Sequence, residues 1–175
     1  MSGFYTYLIA SLPALHFENK PPFSFANFIS LCQQFVSVED FKVLQEVSLQ
    51  PEWKEQVHQT IQKWQHFDTA LRNELVKLRA AHLHISPTKF LRPDFLAQSE
   101  ITHNATVAFR NPRPLEAERI LDKARWDFLE EIAFGHYFDL DYLVIYAYKL
   151  SILEKWERVN SSDSRKLIEE VLSKN

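Results

Sequence analysis

The chain has 175 residues, 46% of them hydrophobic and 25% charged, which is the length and composition of one folded domain with a real core and excludes a low-complexity or disordered chain. A net charge of −3 gives no general attraction to phosphate backbones, and a single cysteine, Cys32, excludes an internal disulfide and any multi-cysteine zinc site. With two glycines, Gly3 and Gly135, the chain has no glycine-rich loop to cradle phosphates and no nucleophile elbow.

From the N-terminus, MSGFYTYLIASLPALHF has no basic leading region and only a short apolar run, so it does not read as a signal peptide. The break at Lys20-Pro21-Pro22 is followed by Ser24 in an N-cap position and by Phe25, Phe28, Ile29, Cys32 and Phe35 at helical spacing, which predicts a helix over 25–35. Ser37, with Asp40 three residues on, opens a second helix through Phe41, Leu44 and Val47. From Pro51 to about His84, no glycine or further proline interrupts a stripe of Trp53, Val57, Ile61, Trp64, Phe67, Leu71, Leu75 and Leu78. Unbroken, that helix is about 50 Å long at 1.5 Å per residue, so the expectation is an elongated bundle.

Ser86-Pro87 and Arg92-Pro93 punctuate the next segment, and a weakly patterned helix is expected over 94–109. Pro114 starts another, with Leu121, Ala124, Phe128, Leu129 and Ile132 on a broad apolar face, and Gly135 stops it. A helix capped by Asp139 or Asp141 follows, and Ser161 or Ser162 is expected to cap a separate last helix with Leu167, Ile168 and Val171. Every element has a 3.6-residue period, so the fold class is all-α, a single domain over 1–175 with six or seven helices. No run of about 20 apolar residues spans a bilayer, and the expected compartment is the reducing cytosol.

The stretch FDLDYLVIYAYKLSILEKW, Phe138 to Trp156, carries two apolar stripes. Leu143, Tyr146, Leu150 and Leu153 form one; Ile145, Tyr148, Ile152 and Trp156 form the other, about 140° away at about 100° per residue. Either the helix is sandwiched inside the bundle, or one stripe faces a partner protein, a use to which tyrosine is suited. Under the second reading the interface is Tyr5, Tyr7, Ile145, Tyr148, Ile152 and Trp156.

Two Glu-x-x-His sequences, Glu55 with His58 and Glu100 with His103, have the spacing that di-iron carboxylate bundles use twice. A small helical metalloenzyme built on them is an alternative function, although Glu55 falls opposite the apolar stripe, where a ligand faces water. His82 and His84 are read as a helix end, and His136 with Asp139 and Asp141 as a pH-sensitive loop, a weak metal site or plain capping. Cys32, between Phe28, Ile29 and Phe35, is a core thiol. Local basic spots exist at Arg110, Arg113, Arg119, Lys123 and Arg125, too few for a nucleic-acid partner. No catalytic residue, metal or cofactor is expected.

Two blocks, FYTYLIASLPALHFENKPPFSFANFISLC and FDLDYLVIYAYKLSILEKWE, with their aromatic-Tyr-Leu…Ser-Leu-Pro start and Asp-capped aromatic helix, resemble a small bacterial family encoded among V-type ATPase genes. That family is similar to the funnel-shaped C-type subunit of the V/A-type ATPase, known as the d-type subunit in eukaryotes, although this chain is shorter and shows no threefold repeat. The resemblance implies a non-catalytic helical subunit or assembly partner that links the central stalk to the membrane rotor ring by protein contacts. It implies a peripheral position at the cytoplasmic face of the membrane, without insertion. A regulatory helical adaptor outside the ATPase is the further alternative.

Overall fold

Amphipathic segments separated by proline and capping serine build a helical protein, and the computed structural model contains seven helices and no strand among the described residues. The described residues are 5–49, 58–93 and 98–172, with side chains described through residue 162. The chain forms two compact units, one from Met1–Gln50 with Gly135–Asn175 and one from Pro51–Phe134.

In the first unit, α1 (Thr6–Ser11) was not predicted, because it is a single six-residue stretch with Pro13 just beyond it. Helices α2 (Phe25–Phe35) and α3 (Val38–Gln45) start where the serines place them: Ser24 Oγ accepts from Asn27 N at 3.2 Å, and Ser37 Oγ accepts from Asp40 N at 3.2 Å. Both pack on α7 (Leu140–Leu172). Phe28 and Tyr146 stack at 5.2 Å, Phe23 stacks on both, and Tyr146 Oη donates to the carbonyl of Pro13 at 3.0 Å, which anchors the proline-rich connection. Cys32 lies in this core with no exposed surface, and burial pushes its thiol up to about 12.

Helix α7 runs for 33 residues, about 50 Å, without the break expected at Asn160-Ser161-Ser162. Ser162 turns its hydroxyl back onto the carbonyl of Arg158 at 2.8 Å, a bond that satisfies serine inside a helix and removes it as a cap. The N-terminal cap is Asp139, whose Oδ1 accepts from Tyr142 N at 3.0 Å.

The second unit packs α4 (Gln59–His82), α5 (Ser99–Arg110) and α6 (Pro114–Ile132) against one another. Its apolar cluster joins Leu71 and Leu75 of α4, Ile101, Ala105 and Ala108 of α5, and Leu121 of α6. Alanine at two of the three α5 positions lets the helices approach closely, and it explains why α5 is weakly patterned in the sequence. The expected helix over 51–84 lies partly outside the described residues, and so do Trp53 and Val57 of its stripe. Its end is defined. His84 adopts a left-handed φ of 55°, with Ile85 N bonded to Ala80 O at 3.0 Å and His84 N to Ala81 O at 3.2 Å, a Schellman stop with histidine in the glycine position. Among the described residues no helix is long and apolar enough to cross a membrane.

Candidate functional site

Three pieces of the first unit converge on Tyr5. Its backbone N donates to Phe138 O at 2.6 Å, and its hydroxyl donates to Asp40 Oδ2 and accepts from Ser37 N at 3.3 Å. Partial burial and the Asp40 carboxylate raise the phenol above its ordinary value, so it stays a neutral donor. The start of α1, the α2–α3 joint and the turn before α7 are therefore held together by one half-buried residue, through its backbone N on one side and its hydroxyl on the other.

Around that joint the surface is apolar and open. Tyr7 is 80% exposed and its ring centroid lies 6.3 Å from that of Phe35, itself 47% exposed. Val38, Tyr137 and Phe138 are also exposed. Large apolar side chains left in water forgo the free energy of burial, which makes this surface a candidate for contact with another molecule.

The interface expected from the helix pattern is placed differently. Ile145 (2% exposed), Tyr148 (0%), Ile152 (0%) and Trp156 (7%) are covered within the chain, as is the other stripe of α7, so this helix is sandwiched and offers neither stripe to a partner. Tyr5 is engaged in internal bonds. Of the six residues only Tyr7 lies open, and the other exposed aromatics lie in turns and at helix ends, where periodicity carries no signal.

At the start of α7, His136 Nδ1 lies 2.6 Å from Asp139 Oδ2 and 3.6 Å from Asp141 Oδ2. All three side chains are partly buried, and their donor atoms lie within 4.8 Å of one another. The second oxygen of Asp139 is committed to the helix cap, so the trio works as a pinned turn: Gly135, with φ of 89°, reverses the chain and His136 ties it to the cap.

In the second unit the sequence reading missed a buried ionic network. Arg125, 8% exposed, bonds through Nε to Asp68 Oδ1 at 2.9 Å and through one terminal nitrogen to Asp122 Oδ1 at 2.8 Å. Arg72 Nε holds the other oxygen of Asp68 at 2.6 Å. Burial by itself pushes the guanidinium down, but the two carboxylates outweigh it and raise it above its ordinary value. These groups neutralise one another and pin α4 to α6. The basic spots correct accordingly: Arg125 is an internal partner, Lys123 pairs with Asp127, and Arg113 pairs with Glu116.

The two Glu-x-x-His pairs are described only in part. His58 sits at the N-cap of α4, while Glu55 falls outside the described residues. Glu100 and His103 are both exposed on α5, where a carboxylate-bridged metal would lie in water.

Comparison with known proteins adds one relation. The model of a family described as "Protein of unknown function (DUF2764)" matches residues 93–174, which takes in α5, α6 and α7. No curated protein and no solved structure matches the chain. The second of the two sequence blocks, Phe138 to Glu157, falls inside the matched span and the first, Phe4 to Cys32, outside it, so it is over its last three helices that the chain is similar to that family.

Proposed function

We propose that this protein is a non-catalytic docking element, a subunit or assembly partner of a V/A-type ATPase that joins central-stalk and rotor-ring subunits at the cytoplasmic face of the membrane. The observation that carries the docking part is the open aromatic surface of Tyr7, Phe35, Tyr137 and Phe138 around the Tyr5 joint. The ATPase part rests on the resemblance of the Phe4–Cys32 and Phe138–Glu157 blocks. A surface of rigid aromatic rings suits a lasting protein contact, because such rings bring large area at a small cost in conformational entropy. The buried charges of the second unit serve the same end by holding α4 against α6.

The test is cross-linking and co-purification of the tagged protein from its native cells, read by mass spectrometry. The expected result is recovery of central-stalk or rotor-ring subunits, with cross-links near Tyr7 and Tyr137 and recovery reduced by Tyr7→Ser with Tyr137→Ser. Recovery of no ATPase component overturns the ATPase assignment, and recovery unaffected by the two substitutions overturns the assignment of the surface.

A further inference from the structure

The second unit contains a cleft of about 430 Å³ between the start of α4, the start of α5 and the end of α6. Its wall includes the stacked rings of Phe67 and Phe128, 4.2 Å apart and within 8° of parallel. Ala70 and Ala124 also line it, and their small side chains leave space that a leucine would fill in a close-packed interior. A volume of this order falls in the range of about 300–1,000 Å³ typical of small-ligand sites.

Charge around the rim is uneven. Glu100 comes from α5, Asp127 and Glu131 from α6, and Lys63 from α4. Asp127 is already held by Lys123, whereas among the described residues neither Glu100 nor Glu131 is engaged by a side-chain hydrogen bond or an ion pair. Lys63 is exposed, and its flexible stem leaves its ammonium free to point into water.

We propose that this cleft binds an organic cation, an ammonium or guanidinium group carried on an apolar body. The aromatic and alanine wall takes the body, and Glu100 with Glu131 takes the charge. A neutral apolar ligand strips water from two carboxylates without replacing it, and an anion adds repulsion, so both are disfavoured relative to a cation of the same size. The same chemistry is offered by a free amine and by a lysine or arginine side chain of a partner. The proposal does not depend on the ATPase reading.

The experiment is a titration of the isotope-labelled full chain at low ionic strength, followed by the methyl signals of Ile101 and Ile132, which line the cleft. The probes are 2-phenylethylammonium chloride, its neutral isostere 2-phenylethanol, and the blocked dipeptide N-acetyl-Phe-Arg-amide. Saturable shifts with the ammonium are expected, at least about fivefold tighter than with the alcohol and weakened about fivefold by Glu100→Gln with Glu131→Gln, the worth of two exposed rim pairs. Both glutamates are exposed, so the variant keeps its fold, which circular dichroism checks; the ammonium-against-alcohol comparison needs no variant. Tighter binding of the dipeptide than of the free amine assigns the cation to a partner's side chain, and the reverse assigns it to a free amine. Equal binding of the alcohol, affinity unchanged in the variant, or no saturation with any probe overturns the proposal.

Discussion

Replacing Arg125 with methionine tests whether the buried network holds α4 to α6. The guanidinium faces two carboxylates, Asp68 and Asp122, whose side chains are 5% and 2% exposed. At an effective dielectric of about 20, each attraction over about 4 Å is worth about 4 kcal/mol, but burying each ion costs several kcal/mol, so the intact network is close to neutral. Removing one member is not neutral, since the desolvation of the carboxylates remains. Arg72 still holds one oxygen of Asp68, which places the expected loss near the low end of the range for a broken buried pair, about 3 kcal/mol. The assay is urea denaturation of the full chain followed by helical circular dichroism, with Asp68→Leu and the double variant completing a cycle. The two substitutions should cost at least about 1 kcal/mol less together than the sum of their separate costs. A loss below about 1 kcal/mol for Arg125→Met, or additivity within about 0.5 kcal/mol, refutes the reasoning.

His84 occupies the left-handed position of the α4 stop, so His84→Gly should raise stability by about 0.5–1 kcal/mol, measured by the same denaturation; a loss shows that the imidazole contributes more than its backbone strain. Cys32, fully buried and with its thiol held up at about 12, should resist a disulfide reagent at pH 8 until the chain is unfolded, and rapid native labelling contradicts its place in the core. Burial also raises the Tyr146 phenol well above 10, with smaller contributions from Tyr142 and Cys32. The unfolded chain releases that proton first, so Tyr146 contributes stability in full below pH 10 that drains away as pH rises further; Tyr146→Phe should flatten this alkaline fall, and an unchanged slope of stability against pH shows that Tyr146 is not its source.

Much of the architecture is legible in local chemistry. Ser24 and Ser37 start α2 and α3 because a serine oxygen satisfies a free backbone N–H wherever the chain turns into a helix. Pro114 and Gly135 bound the α6 segment because one has its φ preset for a first turn and the other accepts the left-handed turn that follows. The two-sided apolar pattern of Phe138 to Trp156 likewise contains the statement that both sides need cover. What covers them is not in the pattern, and the buried Tyr148 and Ile152 show that the answer comes from within the chain. Ser162 reads as a cap but sits inside α7, since the hydroxyl satisfies a free N–H and a carbonyl one turn back equally well.

The candidate docking surface and the ionic network were hidden for a different reason. Tyr7, Tyr137 and Phe138 lie in a short helix and a turn, where no period separates an exposed ring from a buried one. Asp68 and Arg125 stand 57 positions apart, and each alone looks like any charged residue on a helix. The sequence by itself determined helix type, most helix starts and the absence of glycine-rich phosphate loops, because these depend on backbone hydrogen bonds and dihedral angles within a few residues. Which charges pair, which aromatic rings face water and where small residues open a cleft depended on the tertiary structure, because burial and Coulomb attraction act between atoms close in space whatever their separation along the chain.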